Sequence, residues 1–246
     1  MFSYEKMLQY PVNIKNPNPK YAQIVLEQYG GPDGELGASL RYLSQRFSMP
    51  YPELKGLLTD IGTEELGHLE MIGAMEQLIL SMLKITRLDT GNIIFEKKSC
   101  RVSELIAHSV NDLTTRAKSE SKQIQIDGDG EQQLICDMEW TGEAIGNIVK
   151  NALDHTQAGG IVRITWERTP AMFRIFISDN GNGIVPEDIY HIFKRFYRSK
   201  HSLDTQGIGL GLPLAKSIIE GQNGVISVQS EVGKGTLFTL SFLTDL

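Results

Sequence analysis

The sequence predicts an α+β protein in which a helical N-terminal segment leads into an α/β sandwich, one mixed sheet with helices on a single face. Three observations predict it. Apolar residues recur at helical spacing from Leu36 to Leu88, alternating runs and helical runs intermix beyond Gly91, and three glycine-bearing loops punctuate the last strands and helices.

Taken in order, Pro11, Pro17 and Pro19 mark an extended arm, and Gly30-Gly31-Pro32-Asp33-Gly34 marks a break. A first helix is expected over Glu35–Arg46, with Leu36, Leu40 and Leu43 on one face; it ends before Pro50 and Pro52. A second starts near Pro52, a favourable first-turn residue, and carries Leu54, Leu57, Leu58, Ile61, Leu66, Leu69 and Ile72. The same periodicity continues through Met75, Leu78, Met82 and Ile85 to Leu88, with Gly91 as the stop. A strand at Ile93–Glu96, a helix at Val102–Ser119 and short strands at Gln123–Ile126 and Gln133–Asp137 follow. A helix at Glu139–Gln157 precedes two alternating strands, Ile161–Arg168 and Phe173–Asp179, which form a hairpin around Thr169-Pro170-Ala171. The chain closes with a helix at Leu212–Glu220 and strands at Gly224–Ser230 and Thr236–Phe242.

Composition narrows the function classes. With 41% hydrophobic and 22% charged residues, the chain can bury a core and is not of the disordered class. Its 24 basic and 30 acidic residues give a net charge of -6, without a Lys/Arg cluster to follow a phosphate backbone, which argues against nucleic acid. No apolar run approaches the length of about 20 residues that spans a bilayer. No apolar stretch follows Met1-Phe2-Ser3-Tyr4-Glu5-Lys6 as in a secretory signal, so the expectation is a cytoplasmic protein without a membrane segment. Cys100 and Cys136, lacking a CxxC spacing or neighbouring histidines, read as small buried apolar residues rather than a zinc site or disulfide scaffold.

The chemistry concentrates in four segments. Asp179-Asn180-Gly181-Asn182-Gly183, Gly207-Ile208-Gly209-Leu210-Gly211 and Gly233-Lys234-Gly235-Thr236 are loops of two meanings: plain turns, or backbone able to approach a phosphate closely. No Gly-x-x-x-x-Gly-Lys-Ser/Thr and no strand-linked Gly-x-Gly-x-x-Gly is present, which removes the P-loop and dinucleotide readings. Upstream, Glu143, Asn147, Asn151 and His155 recur every four residues and form one polar helical stripe. A solvated face would look the same. Ile145, Ile148, Val149, Ala152 and Leu153 supply the buried face, and neutral carboxamide oxygens suit Mg²⁺ held beside phosphates.

These segments resemble the catalytic domain of sensor histidine kinases in the GHKL ATPase superfamily, from about Met75 to the C-terminus. Glu143–His155 resembles its N box, Asp179–Gly183 its first glycine box, and Ile192–Arg198 its F box; Gly207–Gly211 and Gly233–Thr236 complete the order. The resemblance implies ATP and Mg²⁺ as ligands. By it Asp179 accepts a hydrogen bond from the adenine amino group, with Gly181, Gly183 and Ile184 in the turn under the base and Thr236 on the adjoining glycine segment. Asn151 holds Mg²⁺, Asn147 sits beside it, and His155 lies near the phosphates; Glu143, Asn151 and His155 form the catalytic set. Gly207, Gly209, Leu210 and Gly211 cap the phosphates at a helix start, and Tyr197 and Arg198 belong to a mobile lid. The family's partners are implied too: a response regulator or histidine acceptor domain, and a homodimer.

Met75–Asp89 resembles the end of the family's second dimerisation helix. The acceptor pattern, His-Glu/Asp followed by a basic residue and Pro, begins at none of His68, His108, His155, His191 or His201. Transfer to a histidine is therefore expected only in trans.

Glu35 and Glu65-Leu66-Gly67-His68 lie on the first two helices, and a Glu-x-x-His pair projects from one helical face, either as a solvated surface or as half of a di-metal site. With Tyr10–Lys15, Gly30–Arg46 and Thr63–Glu70, these residues resemble the N-terminal part of a manganese catalase of the spore-coat type over about Met1–Ala74. That resemblance implies Glu35, Glu65 and His68 as Mn²⁺ ligands of a half-site, the other Glu and His having no counterpart. The expected organisation is thus 1–74 catalase-like, 75–91 a dimerisation-helix remnant and 92–246 an ATP-binding domain. Three functions follow: a kinase module acting in trans, a metal-binding or coat-associated helical module, or a fusion that only binds ATP.

Overall fold

The computed structural model describes residues 34–199 and 208–244. The expected proline-marked arm lies outside the described residues. The chain forms two compact units, Met1–Leu83 and Lys84–Leu246.

In the first unit, α1 (Glu35–Ser48) runs two residues past its expected end, and α2 (Pro52–Asp89) is the single long helix that the periodicity predicts. Gly91 then turns the chain with φ +66°. Ser39 is buried and its Oγ donates to the Gly62 carbonyl at 2.7 Å, while Leu43 occupies the space that a side chain at Gly62 would need. This polar and close-packed contact sets the spacing of the two helices.

The second unit is a five-stranded mixed sheet in the order β2-β4-β5-β7-β6, with helices α3 (Val102–Ser119), α4 (Met138–Asp154) and α6 (Gly211–Gly221) packed together and a four-residue helix, α5 (Pro186–Ile189), preceding α6 in the chain. Its strands are β2 (Gln123–Asp127), β4 (Ile161–Arg168), β5 (Met172–Asp179), β6 (Val225–Glu231) and β7 (Gly235–Leu243). β2 is parallel to β4; the remaining pairs are antiparallel. The β4–β5 hairpin pairs Val162 with Asp179 and Arg168 with Phe173, closed by Thr169, whose N–H donates to the Met172 carbonyl at 2.8 Å. Ile145, Ile148 and Leu153 of α4, Ile164, Ile175 and Ile177 of the sheet, and Ile218 of α6 are essentially inaccessible. Each such side chain contributes roughly 1.5–3 kcal/mol of burial free energy.

Three expectations are corrected. Ile93–Glu96 is not a strand: Ile94 is 90% exposed, and Phe95 instead stands edge-on to Trp140 with ring centroids 6.1 Å apart. The strand is β1 (Lys98–Arg101), which pairs antiparallel with β3 (Gln133–Cys136) in a separate two-stranded sheet, so the domain has two sheets rather than one. Asp137, expected to end β3, is the N-cap of α4: its Oδ1 accepts from Trp140 N at 3.2 Å and its Oδ2 from Glu96 N at 2.9 Å. A short carboxylate at that position satisfies a helix amide left without an internal acceptor.

Candidate functional site

Asp179 ends β5, the middle strand, where it is flanked by Val162 on one side and Thr236 on the other. Beyond it the chain turns tightly. Gly181 N donates to Asp179 Oδ1 at 2.9 Å, Asn180 Oδ1 accepts from Ile161 N at 2.8 Å, and Asn182 N donates to the His155 carbonyl at 3.2 Å. The turn is thereby bonded to β4 and to the end of α4.

Glycine is what permits this convergence. A Cβ on Gly181 would overlap the His155 carbonyl oxygen, one on Gly183 would sit 2.7 Å from the Glu231 carbonyl carbon, and one on Gly211 would sit 3.2 Å from Asn147 Oδ1. The first glycine segment therefore lies against the C-terminal end of α4 and against the β6–β7 hairpin. Gly211, opening α6, lies against the middle of α4.

The α4 stripe behaves as its spacing predicts: Glu143, Asn147, Asn151 and His155 are all half-buried, while Ile145, Ile148, Val149, Ala152 and Leu153 are fully buried. Among the described residues the Asn147 and Asn151 carboxamides make no hydrogen bond. Glu143 is engaged, accepting from Lys84 Nζ at 2.6 Å. Burial pushes the Asp179 carboxyl above the usual carboxylate range, against the pull of amide donors from Gly181 and Thr236 and of the nearby His155 imidazole.

Two clefts flank these groups. One, of about 350 Å³, is lined by Asp179, Ser230, Glu231, Lys234, Gly235 and Thr236; the other, of about 520 Å³, by Lys84, His108, Asp112, Glu143, Asn147 and Lys150. Asp179 and Asn147 thus open onto different clefts. What joins their surroundings is the packing of Gly181 on His155 and of Gly211 on Asn147.

At the other end of the site, Tyr197 Oη donates to Asp188 Oδ1 at 2.5 Å, and that carboxylate raises the phenol above its ordinary range. Phe193 stands edge-on to Phe238 of β7, with centroids 6.4 Å apart, and Phe196 N donates to the Gly209 carbonyl at 3.0 Å. Arg198 is exposed and Leu210 buried; Gly207 lies outside the described residues. The sequence reading missed Ser230, whose Oγ accepts from Ile184 N at 2.8 Å, donates to the Gly235 carbonyl at 2.9 Å and lies 3.0 Å from Thr236 Oγ1. A serine on an alternating strand carries no signal of such a role.

The expected manganese half-site lies on α1 and α2. His68 Nδ1 lies 3.1 Å from Glu65 Oε2, a hydrogen-bonded pair, and Glu35's side chain is outside the described residues. Among the described residues no group of three or more His, Cys, Asp or Glu is arranged to hold a metal. Nor, among them, is any helix long and apolar enough to cross a membrane.

A two-layer sandwich whose glycine turns pack a half-buried strand-end aspartate's loop against the end of a polar-striped helix is the arrangement of an ATPase-type domain. Residues 136–245 match the family described as "Histidine kinase-, DNA gyrase B-, and HSP90-like ATPase", and residues 1–122 match "Manganese containing catalase". The chain is accordingly a fusion of a histidine-kinase-type ATPase domain with a segment similar to a manganese catalase. The second match runs beyond Ala74 into β1 and α3.

Relatives fall into the same two groups. Sensor histidine kinase RppB of Synechocystis sp. is 34% identical over 173 residues, 68% of this chain and 37% of that protein. Protein CotJC of Bacillus subtilis is 60% identical over 75 residues, 30% of this chain and 39% of that protein. The chain thus spans under two-fifths of the length of each. Among solved structures, full-length ShkA in complex with AMPPNP superposes with a TM-score of 0.67 at 21% identity, covering 90% of this chain and 45% of that one. The mycobacterial sensor histidine kinase MprB gives 0.55 at 24%, covering 59% and 97%. At these identities the structures show the fold.

Proposed function

We propose that residues 92–246 bind Mg-ATP and transfer its γ-phosphoryl group to a histidine carried by another chain. One observation carries the reading: the Asp179 turn is bonded to the end of the helix whose half-buried stripe presents Asn147, Asn151 and His155. Asp179 accepts from the adenine amino group, which a guanine, bearing a carbonyl at that position, does not supply. Gly181, Gly183 and Ile184 lie under the base, and Thr236 supports Asp179 from β7. Asn147, His155 and the first turn of α6, whose amides lack intrahelical acceptors, face the triphosphate with Gly207, Gly209, Leu210 and Gly211. Tyr197 and Arg198 cover it from the other side.

A free, half-buried carboxamide fits Mg²⁺, and Asn151 is the residue that would hold it; when bound, the cation spreads phosphate charge during transfer. Glu143 orients α4 through Lys84. Because no histidine carries the acceptor pattern, the proposed partners are an acceptor hairpin or response regulator in trans, with residues 75–91 as the dimerisation remnant, and the proposed location is the cytoplasm.

Calorimetric titration of the full chain with Mg-ATP and Mg-GTP, repeated on Asp179→Asn, tests the binding half. Preference for ATP and a loss of about tenfold or more in the variant are expected, since one buried charge-assisted hydrogen bond is worth roughly 1.5–3 kcal/mol. Equal affinities would remove the adenine contact. Labelled ATP, supplied with and without a separate acceptor hairpin, tests transfer: label on the hairpin alone is expected, and none on either sinks the kinase reading.

A further inference from the structure

Cys100 and Cys136, read from sequence as inert apolar residues, are brought together: Sγ to Sγ is 3.4 Å. They are the only two cysteines in the chain. Cys100 is paired with Leu134 and Cys136 with Lys98, so the two thiols are diagonal neighbours on one face of the β1–β3 ribbon. We propose that this pair is a redox-modification site, oxidised by a hydroperoxide to an intramolecular disulfide.

Geometry assigns the roles. Cys136 is 1% exposed, whereas Cys100 is half-buried and reachable from solvent. The hydrogen bond shared by the two sulfurs lowers the Cys100 thiol against opposing contributions from burial and Glu104; Cys136 is pushed up by the same contact and by its burial. Cys100 is therefore the attacking sulfur and Cys136 the resolving one. The thiolate of Cys100 attacks the outer peroxide oxygen, the O–O bond breaks, and the departing oxygen takes a proton to leave as an alcohol or, from hydrogen peroxide, as water. Cys136 sulfur then attacks the resulting sulfenic sulfur; the S–O bond breaks, the hydroxyl leaves as water with the Cys136 proton, and the S–S bond forms. Two thiols are oxidised and one peroxide is reduced. Closing from contact distance to an S–S bond of about 2.05 Å needs a shift of about 1.4 Å, borne by a ribbon of four-residue strands that is separate from the five-stranded ladder.

The bond would reach the nucleotide domain directly. Cys136 precedes Asp137, whose N–H donates to Gln222 Oε1 at 2.7 Å and whose carboxylate caps α4, the helix bearing Asn147 and Asn151.

Trypsin places the two sulfurs on different peptides, Ser99–Arg101 and Gln123–Lys150. Full-chain protein, reduced and then exposed to hydrogen peroxide without denaturant, should give these two joined within one chain, and dithiothreitol should separate them. Cys136→Ser should stop at a sulfenic acid on Cys100 that dimedone traps. Cys100→Ser should leave Cys136 reduced. Peptides that stay unlinked, or that link only between chains, overturn the proposal, as does oxidation of Cys136 in Cys100→Ser at the wild-type rate.

Discussion

Replacing Gly235 with alanine tests how tightly the Asp179 turn is built. Gly235 opens β7 at φ +111°, a region that L-residues occupy only with strain. A Cβ there would overlap the Asp179 carbonyl oxygen and sit 2.8 Å from its carbon and 2.9 Å from Asn180 Cα. Restoring a normal contact with that oxygen requires a backbone displacement of about 1.3 Å in the middle of the sheet, an overpacking cost of roughly 1–3 kcal/mol. The dihedral adds about 1–3 kcal/mol more. Gly233, at φ +77° with nothing within 4 Å of its added Cβ, is the matched control and should cost only about 1–2 kcal/mol. Both tryptophans, Trp140 and Trp166, lie in this unit, so urea unfolding followed by their fluorescence reports it alone. With a slope of about 1–3 kcal/mol per molar urea, Gly235→Ala should lower the midpoint by about 1 M or more, and Gly233→Ala by clearly less. Gly235→Ala should also weaken Mg-ATP binding, because the atoms displaced are those of Asp179. Equal midpoints for the two variants would refute the claim that the β6–β7 hairpin is pressed against that aspartate.

Three further outcomes are expected. Asp179's folded pKa lies above its unfolded value, so its burial favours the protonated form: its contribution disfavours folding as pH rises through that window, and nucleotide affinity should weaken as pH falls through the folded pKa, at a higher pH than an ordinary aspartate gives. Calorimetry between pH 4.5 and 7.5 should show this slope, and Asp179→Asn should flatten it. Asp137→Ala removes both the α4 cap and the Glu96 amide's acceptor, and should destabilise the unit by about 1–3 kcal/mol in the same urea assay. Lys84 and Glu143 are 43% and 30% exposed at the side chain, so a double-mutant cycle with alanine should return a coupling of no more than about 1 kcal/mol.

Much of this was legible in the sequence because local chemistry and tertiary contacts agree. Pro52 starts α2 and Gly91 stops it; the four-residue spacing on α4 separates a buried face from a half-buried one. The β4–β5 hairpin could be read because both strands alternate cleanly about Thr169-Pro170-Ala171. What failed was short or non-local. β1 has four residues and an almost uniformly exposed pattern, so apolar Ile93 and Ile94 drew the strand upstream of its true place. The thiol pair is hidden by 36 residues of separation, since no local pattern announces a diagonal partner on another strand. Ser230 acts through position alone, binding Ile184 and Gly235 from a register that only the β6–β7 pairing defines.

The bonding of Asn182 to the carbonyl of His155, which caps α4, and of Asn180 to the first residue of β4, has a consequence for how a nucleotide would be received. The end that meets the purine is assembled before any ligand arrives and spends little configurational freedom on capture. Adenosine alone should then retain a measurable share of the affinity, and whatever separates ADP from ATP must arise where Gly211 meets Asn147, about two turns of helix away from where the base is read.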